Sequence, residues 1–168
     1  LAEDLVGAHA KDLGYDSADA AVAAVSRVLA GSELSGVRYE PLFDYFSNVE
    51  TWGTEHCWQV LADDYVSTTD GTGIVHQSPA YGEDDHRITT AAGMPTILSV
   101  DDGGRFISAV TDVAGELWTD ANLPLIRLLR GSQRMLREQS YVHSYPHCWR
   151  CRNPLIYRAV SSWFVRVT

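Results

Sequence analysis

The segment from Gly71 to Asp85 constrains this chain more than any other part of it. It follows Asp70, and Asp-Gly is a dipeptide typical of hairpin turns; a short apolar run then leads to His76. The segment ends in three acidic residues, and a helix-like stretch over 86–92 follows, closed by a Gly and a Pro. This order predicts a strand, a loop and a helix that bring His76 and a carboxylate to one rim of a small sheet.

The remaining hydrophobic pattern predicts an α+β fold, with a closed, β-barrel-like sheet and peripheral helices. Alternating apolar residues indicate a half-buried strand over 57–66, which we expect to pair with 73–76 through the Asp70-Gly71 turn. Further strands are expected over 96–100 and near Tyr141, Tyr157 and Trp163. Helices are expected over 1–13 and 124–137, whereas 17–30 fits a helix and a strand equally.

The composition indicates one globular domain without a membrane segment. The chain has 168 residues, 45% of them hydrophobic, and no apolar run of membrane-spanning length. Its net charge of −9 argues against DNA binding, but residues 1–120 hold 5 basic against 21 acidic side chains, and residues 121–168 hold 8 against 1. Contact with an RNA backbone is therefore expected only in the second part. Three cysteines, with one Cys-x-x-Cys pair, favour a reduced, cytoplasmic protein.

Asp85 and His76 are the candidate catalytic residues, and each has a structural alternative. An Asp at a helix start is commonly an N-cap, although Asp84 could cap while Asp85 faces a pocket. A lone His after an apolar pair is commonly structural; near Asp85 it could also orient water, bind a ribose or limit the size of a pocket. Ser78 lacks the Gly-x-Ser-x-Gly setting of a nucleophile, so a covalent serine mechanism is not expected.

Two further groups keep two interpretations each. Four arginines recur at spacings of three, four and three, on one face of the expected 124–137 helix, which is either a solvated face or an RNA contact: Arg127, Arg130, Arg134 and Arg137. Cys148 and Cys151 have zinc-knuckle spacing but supply only half of a tetrahedral site.

Three blocks of the sequence resemble the editing domain inserted into class I isoleucyl-, valyl- and leucyl-tRNA synthetases. The first consists of Gly71-Thr72-Gly73, Pro79-Ala80 and Asp85, and within it Val75-His76 and Tyr81-Gly82 resemble the isoleucyl branch. The second, from Tyr145 to Val167, is similar to the isoleucyl enzymes where the insertion returns to the catalytic core. The third covers 38–46. The resemblance extends over almost the whole chain.

This resemblance implies hydrolysis of valine mischarged onto the isoleucine tRNA, on a β-barrel core. Asp85 would bind the α-ammonium group of the substrate and His76 would assist the hydrolysis. The substrate-binding residues would be Gly71, Thr72, Gly73, Ala80 and Tyr81. The glycines let the backbone approach the terminal adenosine, and a strand rather than a helix follows them, unlike a phosphate loop. A valyl-type or leucyl-type editing domain and an inactive tRNA-binding module are the alternatives.

The resemblance also implies boundaries, cofactors and partners. Residues 1–145 would form the editing domain, without the Thr-rich strand that precedes this region in the family, and we therefore expect the chain alone to deacylate poorly. Residues 146–168 would lead back toward the catalytic core. Cys148 and Cys151 would be half of a zinc site completed by the parent synthetase, which also binds ATP and Mg²⁺. The expected partners are the isoleucine tRNA and the rest of the synthetase; no cofactor, DNA or membrane is expected for this chain.

Overall fold

A computed structural model of the chain describes residues 1–140 and 142–167. The α-helices are α1 (Ala18–Ala23), α2 (Val49–Trp52), α3 (Glu83–Ala91) and α4 (Asn122–Gly131). Short 3-10 helices cover Glu3–Leu5, Gly7–His9, Gly31–Leu34 and Thr111–Val113. Irregular backbone connects them and makes up most of the described chain. None of the helices in these ranges has the length and apolar character needed to cross a bilayer.

The two longest helices begin and end for local reasons. α3 follows Gly82 and opens with three acids, whose negative charge is favourable at a helix N-terminus. It ends just before Gly93, which adopts a left-handed φ of +74°. α4 carries Pro124 in its first turn, where backbone N–H groups need no partner within the helix. It stops at Gly131, before the left-handed Gln133 (φ +57°), so the helix predicted over 124–137 is real but shorter.

The predicted β-barrel is wrong. Among residues 1–140 and 142–167 the structure has no named strand, and antiparallel pairing is limited to four isolated bridges: Arg38–Gln59, Val100–Phe106, Arg105–Leu117 and His147–Pro154. The α+β class therefore fails with it, because the strands predicted over 57–66, 73–76 and 96–100 and near Tyr157 and Trp163 do not form. The strand predicted near Tyr141 lies outside the described residues.

The backbone explains why two of these predicted strands fail. Trp58 has a φ of +53°, which turns the chain out of the extended range at the start of 57–66. The segment 73–76 starts from a turn whose Thr72 carbonyl accepts the amide of Ala2 at 2.8 Å. Alternating side chains provide one half-buried face, but a strand also requires a neighbour that continues the hydrogen-bond ladder.

The core lies between α4 and the loops that precede it. Buried residues at its centre are Val110, Val113 and Ala121, and the side chains packed around them are Tyr45, Phe46, Phe106, Ile107 and Leu125. The hydroxyl of Tyr45 donates to Asp112 at 2.7 Å; burial, and then this carboxylate, raise the pKa of Tyr45. The cluster ties the segment around Tyr45 to the base of α4.

The folded chain keeps far more surface than a closed domain of its mass. Its accessible area is 12675 Å², against roughly 8,200 Å² for a compact monomer of 18.6 kDa. Large apolar side chains are exposed most strongly near the end of the chain, where Trp163, Phe164, Val165 and Val167 are each at least 87% exposed. The apolar surface of this chain is therefore far from fully covered by its own residues.

Candidate functional site

A cavity of about 310 Å³ opens beside the loop that precedes α3. Three predicted site residues line it, namely His76, Ala80 and Tyr81. The rest of the lining comes from Tyr39, Phe46, Thr54, Cys57, Trp58, Gln59, Gln77, Ser78, Pro79, Thr89, Met94, Pro95, Ile97 and Ser99. Apolar walls with a few hydroxyl and amide groups suit a small apolar side chain attached to a polar group.

Asp85 lies behind this cavity rather than on its wall. Its Oδ2 accepts the backbone N–H of Ser78 at 2.9 Å, so the carboxylate ties the first turn of α3 to the loop. The fit is close, because a Cβ at Gly82 would lie 2.6 Å from Asp85 Oδ2. The structure therefore gives Asp85 a structural hydrogen bond, and through Ser78 it contacts the cavity lining.

His76 is exposed at the mouth of the cavity. Its Nδ1 lies 3.5 Å from Ser78 Oγ, at the outer limit of a hydrogen bond. The carboxylate of Asp85 binds the amide of Ser78 and not the imidazole, so these three residues do not form a Ser–His–Asp relay.

Ala80 and Tyr81 are fixed by contacts to distant segments. Ala80 is 3% exposed, and its carbonyl accepts the amide of Ala159 at 2.7 Å. The hydroxyl of Tyr81 accepts the amides of Ser99 and Val100 at 2.8 and 3.1 Å and also pairs with Ser99 Oγ. Both residues are thus rigidly placed walls of the cavity.

The Gly71-Thr72-Gly73 turn does not line the same cavity. Gly71 and Gly73 both adopt left-handed φ values, +63° and +73°. Thr72 Oγ1 donates to the carbonyl of Ile74 at 2.9 Å, which stabilises the turn internally. The turn therefore lies outside the cavity, at the start of the segment that leads to His76.

The prediction that four arginines share one helix face is wrong. α4 ends at Gly131, so Arg134 and Arg137 lie beyond it. Arg134 donates to the carbonyl of Pro41 at 2.8 Å, and Arg137 pairs with Asp12 at 3.0 Å. Arg130 pairs with Glu138. Three of the four guanidinium groups therefore bind other parts of the chain.

Comparison with known proteins identifies the family. No family model matches the chain. The isoleucine–tRNA ligase of Leifsonia xyli is 66% identical over 168 residues, which is 100% of this chain and 15% of the ligase. The ligases of Tropheryma whipplei and Mycobacterium tuberculosis are each 46% identical, again over all of this chain and over 15% and 16% of their own lengths. This chain belongs to the isoleucine–tRNA ligase family. It spans about 15% of the length of these curated relatives.

The zinc site implied for the isoleucine–tRNA ligases is only partly provided by the described residues. Cys148 donates its amide to Asn153 at 2.9 Å and accepts the amide of Arg152 at 2.9 Å, which forms a tight knuckle. Backbone N–H groups of Cys151 and Arg150 lower the pKa of the Cys148 thiol. The Nδ1 of His147 binds the carbonyl of Tyr145 at 2.9 Å. In ranges 1–140 and 142–167 no three potential ligands meet, so these residues do not fit a closed four-ligand site.

Sequence reasoning missed two histidines that hold the site region. His86 Nδ1 lies 3.0 Å from the carbonyl of Pro79 and so links α3 to the loop. His9 Nε2 lies 2.9 Å from the carbonyl of Gly71. The first contact had a local signal, a polar residue one turn into a helix that follows a Pro-containing loop. The second joins residues far apart in the sequence and had none.

Proposed function

We propose that this chain carries the editing site of an isoleucine–tRNA ligase, which hydrolyses the ester of valine mischarged onto the isoleucine tRNA. The observation that carries the proposal is the cavity bounded by buried Ala80 and by His76, in a chain related over its whole length to these ligases. One methylene in an apolar pocket gives only about 1–3 kcal/mol of discrimination, a limit for which this enzyme family is the usual illustration. A separate hydrolytic site is therefore needed.

In the proposed site Asp85 recognises the α-ammonium group of the amino acid. The amide of Ser78 engages Oδ2, which leaves the other carboxylate oxygen of Asp85 to bind an ammonium group that reaches it past Ser78. His76 orients the attacking water or the terminal ribose, while Ala80 and Tyr81 limit the size of the side chain that enters. An aminoacyl ester is already activated, so a positioned water suffices and no covalent intermediate is required.

The proposal extends to the surroundings of the site. Residues 1–145 are the editing part and 146–168 lead toward the rest of the ligase, which acts in the cytoplasm and binds ATP and Mg²⁺. Gly71, Thr72 and Gly73 approach the terminal adenosine of the tRNA. Of the four candidate RNA-binding arginines, Arg127 is the one that forms no ion pair with another described residue, so it is the strongest candidate to contact the acceptor end.

Three substitutions test the role of Asp85 in a full-length ligase that contains this chain. Asp85→Asn keeps an oxygen for the Ser78 amide but loses the charge, and we expect it to cut Val-tRNA deacylation at least tenfold. Asp85→Ala removes both functions and should be no more active. The matched control is Asp84→Ala, which removes the neighbouring exposed carboxylate and should stay within twofold of the unmodified ligase. Isoleucine activation should be unchanged in all three.

The outcomes separate the alternatives. Full deacylation by Asp85→Asn, with loss in Asp85→Ala, would make Asp85 a residue that only holds the loop. Hydrolysis of Thr-tRNA, or of norvaline-tRNA in preference to Val-tRNA, would favour a valyl-type or leucyl-type site. Retained tRNA binding without any deacylation by the unmodified ligase would identify a tRNA-binding module and overturn the proposal.

A further inference from the structure

The Gly71-Thr72-Gly73 turn packs against Ala2, near the start of the chain. The amide of Ala2 donates to the carbonyl of Thr72 at 2.8 Å. Gly73 packs so closely on this segment that a Cβ at position 73 would overlap the Cβ of Ala2. The path of the turn is therefore determined by a segment that is remote from it in the sequence.

His9 makes the second contact to this turn. It stands at the end of the 3-10 helix Gly7–His9, and its side chain is only 17% exposed. One ring nitrogen, Nε2, lies 2.9 Å from the carbonyl of Gly71, and the other, Nδ1, lies 3.2 Å from Asp12 Oδ2. The Gly71 carbonyl can only accept a hydrogen bond, so Nε2 of His9 is the donor in this contact.

Asp12 fixes the orientation of the imidazole. Its carboxylate also binds Arg137 Nη1 at 3.0 Å. The hydrogen bond from His9, and then the bond and charge of Arg137, lower the pKa of Asp12 against the opposing effect of burial. The ionised carboxylate thus holds the His9 ring from one side while the Gly71 carbonyl receives its other nitrogen.

We propose that His9 is a positioning residue, which holds the Gly71-Thr72-Gly73 turn in the conformation that receives the 3′ end of an aminoacylated tRNA. This inference rests on the proposed editing function. The hydrogen bond to the Gly71 carbonyl fixes the first peptide of the turn, and the Ala2 amide fixes the second. A turn held at two successive carbonyls is preorganised, so the tRNA end does not have to order it on binding.

The test measures Val-tRNA deacylation by the full-length ligase containing this chain. His9→Ala should raise KM about three- to tenfold and leave kcat within twofold, because the bond acts on substrate binding and not on the reacting ester. His9→Gln keeps an N–H donor on a side chain of similar reach and should return KM to within about twofold of the unmodified ligase. Lys11→Ala, which removes a neighbouring exposed cation, is the control and should change neither constant.

A second measurement probes the turn directly. Hydrogen exchange at the amides of Gly73 and Ile74 should be faster in His9→Ala and be restored in His9→Gln, with Lys11→Ala unchanged. An unchanged KM in His9→Ala, or a raised KM that His9→Gln does not rescue, would overturn the inference. If the unmodified ligase deacylates no substrate, the proposed function fails, and unchanged exchange in His9→Ala then rejects the positioning role as well.

Discussion

The hydrogen-bonding atoms of the loop around the cavity are used mainly to hold the loop itself. The hydroxyl of Tyr81 accepts two backbone amides, and one oxygen of Asp85 accepts the amide of Ser78. A site that must place a water against an ester loses about a hundredfold in rate for a misplacement of roughly 1 Å. The same residues therefore carry structure and proposed chemistry, and isosteric substitutions are required to separate the two.

Cys148 and Cys57 present opposite thiol environments. Backbone N–H groups of Cys151 and Arg150 lower the pKa of Cys148, whereas burial raises the pKa of Cys57. Because the thiolate is the reacting form, iodoacetamide should modify Cys148 at least about ten times faster than Cys57 near neutral pH. As the pH is raised, the alkylation rate of Cys148 should increase at a lower pH than the alkylation rate of Cys57.

Peptide mass spectrometry over a time course measures both alkylation rates in one sample. A Cys151→Ser variant serves as the control, since it retains the backbone N–H of position 151 and removes the competing exposed thiol. Equal rates for Cys148 and Cys57 in that variant would contradict the knuckle geometry described above.

At the scale of elements, the two longest helices, α3 and α4, could be predicted, whereas the helix expected over 1–13 is two short 3-10 helices and the predicted strands do not form. The signals of α3 are local, an acidic first turn and a following Gly-Pro end, and helical hydrogen bonds close within four residues. A strand depends on a partner elsewhere in the chain, and no rule of residue type foretells a left-handed Trp58. The barrel prediction failed because alternating apolar and polar residues indicate which face a side chain lies on, but not which segments pair as neighbouring strands.

The candidate site divides in the same way. His76, Ala80 and Tyr81 are close together in the sequence, and the loop that contains them brings all three to one cavity. The position of Asp85 behind Ser78 depends on how α3 packs against the loop. The position of the Gly71-Thr72-Gly73 turn depends on its contact with Ala2. Such contacts form between different segments of the chain, so the spacing of residues within one segment does not predict them.

The knuckle of residues 147–154 supports a prediction about metal content. Two thiols and one histidine are fewer than the four ligands of a structural zinc site, so the chain purified alone should hold well under one zinc per molecule. Elemental analysis after dialysis measures this, with a Cys148→Ser, Cys151→Ser double variant as the baseline. One tightly held zinc per unmodified chain would contradict the prediction and indicate a ligand contributed by another molecule.

On the scale of the whole molecule, the separation of charge along the sequence is partly neutralised by folding. Basic side chains of the second part bind the acidic first part, as in the pairs Arg137–Asp12, Arg134–Glu40 and Arg158–Asp102. These pairs reduce the positive charge available to an RNA backbone. The excess of basic residues after position 120 is therefore a poorer measure of RNA affinity than the sequence suggests.

The large accessible area predicts how the chain behaves by itself. Exposed apolar side chains such as Trp163 and Phe164 should bind the dye ANS, with a fluorescence enhancement several times that of an equal mass of full-length ligase. Because so much of its apolar surface is left uncovered by its own residues, the chain alone should also deacylate Val-tRNA at least about a hundredfold more slowly than the full-length ligase. Dye titration and single-turnover deacylation measure the two effects; equal deacylation rates would show that the site is complete within these residues.

The fit of Gly73 against Ala2 limits how such a sequence changes over generations. An alanine at position 73 meets the methyl group of residue 2 and also a left-handed backbone that costs about 1–2 kcal/mol for any residue with a Cβ. Shortening residue 2 to glycine would remove its Cβ, but the added Cβ at position 73 would still lie 3.1 and 3.2 Å from the backbone nitrogen and Cα of residue 2, and the backbone cost would remain. Neither the single change nor the pair is neutral, so relatives that keep this turn should keep glycine at position 73.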